Sequence, residues 1–224
     1  MTVARAVVFD FDGVLADTEG LHLAAFQDVF SARGWTLDRQ AYFDNYLGYE
    51  DRDLVRAFAA DQALRLGTAE VEAILIDKAR RYDRRVAAGS ILFPAATAAV
   101  ARLGSAFQLA IASGSLRGEI LGILRANNLA EAFPVIVAAD DVARSKPAPD
   151  SYAAAVERLG VRPSQAVAIE DSHWGLTSAK AAGLRTIAIT TSYQAPALSL
   201  ADAIVNSLDE ITTEVVERLL RPSK

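Results

Sequence analysis

The sequence predicts an α/β protein: a doubly wound parallel-sheet core with a small α-helical domain inserted after the first strand. Three observations predict it. Short apolar runs recur, as "VVFDF" (7–11), "QLAIAS" (108–113), "VIVAA" (135–139), "AVAIED" (166–171), "RTIAIT" (185–190) and the shorter "AIV" (203–205). Amphipathic stretches at 95–103, 117–127, 150–159 and 174–182 separate the later runs. The first and second runs are instead divided by a long interval that reads almost entirely as helix. Alternating strands and helices imply a parallel sheet. Strands covered on both faces read as continuous apolar runs rather than alternating ones, as these do.

The inserted interval is read as helices over about 17–33, 38–46, 50–65 and 68–88, punctuated by Gly34, Gly48 and Gly67. Thr68 is the expected cap of the last helix. Val71 stands three residues on, so no capping box is expected there. The interval is too long for a simple crossover. The expected division is a core of 1–16 and 91–224 with a helical cap of 17–90 over the strand ends, hinged near 16–20 and 88–90.

Composition narrows the function. The chain has 224 residues, is 52% hydrophobic and 23% charged, and carries a net charge of −5. That size and balance fit a globular core. An acidic balance argues against broad nucleic-acid binding, but a local cationic pocket for a small anion remains compatible with it. Cysteine is absent, which excludes disulfides, thiol nucleophiles and cysteine zinc sites. A strand begins within a few residues of Met1, so no signal peptide is expected. The uncharged stretch 86–101 contains Gly89 and Pro94 and falls short of the roughly 20 apolar residues of a membrane span. The expectation is a cytoplasmic protein, a monomer, with no membrane or nucleic-acid partner.

Polar residues end the predicted strands in a consistent way. Asp10 and Asp12 end the first, Ser113-Gly114-Ser115 the second, Lys146 in "RSKPAPD" follows the third, and Glu170-Asp171 end the fourth. In an open α/β sheet the carboxyl ends of the strands line the ligand crevice, so these groups should converge. Several carboxylates together call for a cation, and an all-oxygen set without His or Cys suits Mg²⁺. A lysine and a hydroxyl beside that cation suit a phosphoryl group. Gly114 would let backbone approach it closely, and Gly13 would turn the chain sharply after the acids.

These residues resemble the four motifs of the haloacid dehalogenase superfamily of phosphotransferases: "DFDGV", Ser113, Lys146 in "SKPAPD" and "IEDS". All four occur in order, each after a predicted strand, and the resemblance covers nearly the whole chain. It is nearest to the β-phosphoglucomutase-like and phosphoglycolate-phosphatase-like hydrolases, whose Rossmann-like core carries a small helical cap. The resemblance implies a Mg²⁺-dependent phosphatase acting on a small phosphorylated metabolite. By it, Asp10 is the nucleophile that becomes an aspartyl-phosphate. Asp12 is the acid to the leaving oxygen and then the base for water. Ser113 and Lys146 hold the phosphoryl group. The metal is held by Asp10, the Asp12 backbone carbonyl and Asp171, with Glu170 on a metal-bound water or behind the ligands. The dehalogenase branch generally lacks the second aspartate of the first motif, so Asp12 argues for phosphoryl transfer.

The substrate candidates are Gly114, Ser115, Arg117, His22, Arg52 and Lys78. His22 in "DTEGLH" and Lys78 in "KARRYDRR" resemble helical-domain residues of the mutase-like enzymes, and Arg52 sits about one residue off such a position. Leu116 and Arg117 replace the polar pair those mutases carry, although Arg117 could grip a distal phosphate. Arg80, Arg81, Arg84 and Arg85 are read as a solvated face, and His173 as a polar helix start. Two alternatives follow. A hexose-phosphate mutase would share the Asp10 chemistry. A non-enzymatic phospho-accepting receiver domain would use similar groups, but such domains are shorter, lack the insertion and place their acids on adjacent positions.

Overall fold

The first apolar run forms strand β1, Ala6–Phe9, and every residue of it is buried. The later runs form β2 (Gln108–Ala112), β3 (Val135–Val137), β4 (Ala166–Glu170), β5 (Arg185–Ile189) and β6 (Ala203–Val205). This computed structural model describes residues 4–47, 49–86 and 91–221. The strands make one parallel sheet in the order β3-β2-β1-β4-β5-β6. This is the doubly wound order expected of a Rossmann-like sheet. Val8 lies opposite Ala110 on one side and Ala168 on the other, so β1 is central.

The chain divides into two compact units, Met1–Asp17 with Ser90–Lys224, and Thr18–Gly89. Among the described residues the second unit holds four helices: α1 (Glu19–Ser31), α2 (Arg39–Asn45), α3 (Asp51–Asp61) and α4 (Thr68–Val86). Its core gathers Leu23, Phe26, Phe30, Leu54, Phe58 and Ile74, with Phe30 stacked on Phe58 at 4.3 Å between centroids. Thr68 is not the cap of α4 but its first residue. The Gly67 carbonyl accepts from Glu70 and Val71, and the Glu70 carboxylate accepts from the Gly67 N–H at 2.8 Å. The cap thus lies one residue earlier than expected, and a reciprocal pair that was not expected forms there, because glycine can occupy the cap and a Glu stands three residues after it.

The sheet unit carries α5 (Ala96–Gly104), α6 (Arg117–Ala126), α7 (Asp150–Leu159), α8 (His173–Ala181) and α9 (Thr213–Leu220). One side chain cluster packs Val8, Ala110 and Ala168 against Tyr152, Ala155 and Ala179 from α7 and α8. Small residues on the central strands let these helices approach closely. In the stretch 86–101, α4 ends at Val86, Leu92 bridges Ala16, and α5 starts at Ala96. Residues 87–90, including the second expected hinge, and Gly48 lie outside the described residues. Among the described residues no helix is long and apolar enough to cross a membrane.

Candidate active site

Asp10 directly follows β1, and its N–H donates to the Ile169 carbonyl at 2.9 Å. The ladder to β4 thus continues one residue past the strand and sets Asp10 beside the end of β4. Phe9 and Phe11 are buried, and the Phe11 N–H donates to Asp10 Oδ1 at 2.7 Å. Gly13 then turns the chain at φ +74°, where a side chain would be strained, and its N–H donates to the Ala16 carbonyl at 2.9 Å.

Glu170 is the most enclosed acid of the site, with no exposed surface. Its Oε1 accepts from Lys146 Nζ at 2.6 Å and from the Tyr152 hydroxyl at 2.8 Å. Its Oε2 accepts from the Asp171 N–H, the Ser172 N–H and the Ser172 hydroxyl, at 3.2, 3.2 and 3.0 Å. A buried carboxyl group needs such hydrogen-bond partners. Lys146 also lies 2.9 Å from Asp10 Oδ1 and over the Tyr152 ring at 5.0 Å. Burial would lower the Lys146 pKa, but Asp10 and Glu170 raise it on balance, so the ammonium stays charged.

Asp10, Glu170 and Asp171 each present an oxygen, all within 4.8 Å of one another. Lys146 alone does not balance three acids. Burial, then the Glu170 charge, raises Asp10 well above the carboxylate range, against the pull of Lys146. Burial and Glu170 likewise push Asp171 up to about 8, while the Ser192 hydrogen bond and Lys146 pull it down. A buried oxygen set with excess negative charge fits a hard divalent cation. The Asp12 carboxylate is outside this trio. It accepts from the Ser115 hydroxyl at 2.5 Å and the Ser113 hydroxyl at 3.3 Å.

Several candidates sit differently from the expectation. Arg117, read as able to grip a distal phosphate, donates from its guanidinium to Asp141 and to the Ile136 carbonyl at 2.7 Å. The acid lies 24 residues further along, and nothing in the "SGSLRG" loop signals this pairing. The Ser115 hydroxyl is spent on Asp12. Gly114 is exposed, and a Cβ there would meet nothing within 4 Å, so no close approach in this structure demands a glycine.

In the helical unit Arg52 pairs with Glu72 at 2.6 Å, tying α3 to α4. Lys78 is 1% exposed, unlike the arginines around it. It donates to Asp51 Oδ2 at 2.6 Å and to His22 Nδ1 at 2.7 Å. An ammonium only donates, so Nδ1 is the accepting nitrogen of His22. Phe26 and Tyr82 face the same ammonium at 5.2 and 5.0 Å. His173 is the first residue of α8, after the Ser172 cap, and packs on Trp174.

Two contributors were not foreseen. Tyr152 reads as an ordinary core residue of an amphipathic helix. Ser192 follows the fifth apolar run. It is a polar residue just past a strand end, the same signal that marks Asp10, Ser113 and Asp171.

The chain is similar to known proteins along most of its length. The profile of the haloacid dehalogenase-like hydrolase family matches residues 7–189. The protein CbbY of Rhodobacter capsulatus is 34% identical, covering 96% of this chain and 98% of its own. A phosphoglycolate phosphatase of Mesorhizobium japonicum is 28% identical over 96% of both chains. CbbY from Rhodobacter sphaeroides, solved in complex with phosphate, superposes with a TM-score of 0.86 at 32% identity, covering 96% of this chain and all of the other. A mutant of it in complex with xylulose-(1,5)bisphosphate gives 0.83 at 33% identity, over 93% and 96% of the two chains.

Proposed function

This chain belongs to the haloacid dehalogenase-like hydrolases and is a phosphatase of that family, and we propose that it hydrolyses a small sugar phosphate through Asp10 with Mg²⁺ bound. The observation that carries the proposal is Asp10 itself: a buried carboxylate at the end of the central strand, against Lys146 and within reach of Glu170 and Asp171.

Asp10 attacks phosphorus as a carboxylate, and the bond from phosphorus to the ester oxygen breaks. Asp12 gives its proton to that leaving oxygen. Water then attacks the aspartyl-phosphate, passes its proton to Asp12, and inorganic phosphate leaves with Asp10 restored. Ser113 and Ser115, which hold the Asp12 carboxylate, orient it for both transfers. Lys146 stands where negative charge builds on the phosphoryl oxygens. Asp10, Asp171 and the Asp12 backbone carbonyl would hold Mg²⁺, with Glu170 behind them organising Lys146 and Tyr152. The ion, when bound, supplies further positive charge for the phosphoryl oxygens.

A panel of phosphate esters assayed with Mg²⁺ and with EDTA tests this reading. The solved relative bound xylulose-(1,5)bisphosphate, so ketose bisphosphates belong in the panel beside phosphoglycolate and hexose phosphates. The expected result is free phosphate from at least one sugar phosphate, abolished by EDTA and restored by Mg²⁺. No phosphate from any ester, or release indifferent to EDTA, contradicts it. A second reading, a hexose-phosphate mutase, is favoured by the His22–Lys78 pair in the helical unit. Glucose 6-phosphate formed from β-glucose 1-phosphate and a bisphosphate primer, without free phosphate, would select it.

The role of Asp12 gives a separate expectation. Asp12→Asn should lower kcat by roughly 10²–10⁴-fold, the scale of acid–base groups. In kcat/KM, which reads the transfer to Asp10 and not the later hydrolysis common to all esters, the loss should shrink for esters of acidic alcohols, whose leaving oxygen needs no proton. An equal loss in kcat/KM across leaving groups would remove Asp12 from the acid role.

A further inference from the structure

We propose that Ser192 is a positioning residue for the metal ligand Asp171, and that the segment after β5 completes the metal side of the site. This rests on the reading above that Asp171 holds Mg²⁺. Four sequence motifs supply the acids, Ser113 and Lys146, from the ends of β1 to β4. Ser192 comes from the end of a fifth strand that no motif covers.

The geometry has three parts. The Ser192 hydroxyl donates to Asp171 Oδ2. The adjacent Thr191 hydroxyl donates to the Gly13 carbonyl, in the turn that follows Asp10 and Asp12. A Cβ on Gly13 would fall 1.9 Å from Asp171 Oδ2 and 2.8 Å from Ser192 Oγ, so turn, acid and hydroxyl are in direct contact. Two neighbouring hydroxyls therefore clasp both halves of the proposed ligand set, the turn after β1 and the acid after β4. The clasp has a fixed base. The Thr190 N–H donates to the Val205 carbonyl at 3.1 Å, and its hydroxyl pairs with Asn206 at 3.0 Å, anchoring the segment to the end of β6.

A carboxylate rotates about its last bond unless a partner fixes it. With Oδ2 held by Ser192, the other oxygen of Asp171 has a set direction. Groups that orient ligands in this way typically contribute 10–100-fold to metal affinity. A serine that served only to fill space beside a buried acid would affect folding and leave affinity alone.

Mg²⁺ binding to the metal-stripped full chain, followed by calorimetry, separates the two. Ser192→Ala is expected to weaken Mg²⁺ binding by about 10-fold, and Ser192→Thr, which keeps the hydroxyl, to stay within about threefold of the unmodified chain. Affinity of Ser192→Ala within about twofold of the unmodified chain overturns the proposal, as does a Ser192→Thr protein as weak as Ser192→Ala. Absence of Mg²⁺ binding by the unmodified chain would instead overturn the metal reading beneath it. Thermal unfolding of the metal-free variants serves as the folding control: affinity lost without a lowered midpoint assigns the effect to ligand positioning.

Discussion

Asp10→Asn is expected to lower turnover by about 10⁴-fold or more, the scale seen when a covalent nucleophile is removed, while leaving the protein folded. The amide keeps the shape of the carboxylate but has no anionic oxygen to attack phosphorus. The same change removes a charge that the fold does not favour. Asp10 is buried beside Glu170 and Asp171, and burial with the Glu170 charge already biases it toward its protonated form in the metal-free protein. One of the three crowded acids is thereby neutralised. Lys146 keeps its 2.6 Å contact with Glu170. The metal-free unfolding midpoint should therefore hold or rise. Active-site titration with radiolabelled substrate gives the second readout: covalent phosphate on the unmodified chain, none on Asp10→Asn. A variant that kept more than a small percentage of activity, or that still took up covalent phosphate, would place the nucleophile elsewhere. The effect should also exceed that of Asp12→Asn, because water can partly take over a proton transfer but cannot form the aspartyl-phosphate.

The sequence made the fold class and the core of the site legible for one reason. Parallel strands buried on both faces leave apolar runs with abrupt polar ends, and the carboxyl-end rule then collects those ends at one edge of the sheet. Asp10, Lys146, Glu170 and Asp171 are brought together in this way. What the sequence hid depends on contacts between distant positions or on uninformative residue types. Arg117 meets Asp141 only because the end of β3 lies beside the start of α6. Tyr152 is apolar enough to pass for core, yet its hydroxyl finds Glu170. Thr191 and Ser192 are common loop residues, and only the clasp they make gives them a role. Lys78 lies among arginines that look alike in sequence, and its burial comes from the packing of α1, α3 and α4 around it.

Gly175→Ala is expected to destabilise the protein by about 3–5 kcal/mol, the scale on which a buried ion pair is broken, and to remove activity with it. Gly175 lies on α8, and a Cβ there would fall 1.7 Å from Glu170 Oε1 and 2.1 Å from Oε2. Glycine is required at this point by contact rather than by backbone angle. The helix has little freedom to retreat, because the Gly175 N–H donates to the Ser172 hydroxyl at 3.1 Å in the α8 cap. Nor has the carboxylate, which is enclosed and held by Lys146, Tyr152 and Ser172. A methyl group must therefore dislodge Glu170 from at least one partner and leave buried charge unpaired. For a chain of this size, roughly 2–4 °C is lost per kcal/mol, so the unfolding midpoint should fall by about 10 °C. Gly118 and Gly122 on α6 provide the comparison, since a Cβ at either meets nothing within 4 Å. Alanine at those positions should be neutral or stabilising by up to about 1 kcal/mol, as expected for an unobstructed helical glycine. If Gly175→Ala melted with the Gly118 and Gly122 variants, α8 would not press on Glu170, and the acid would not be the fixed post against which Lys146 is set.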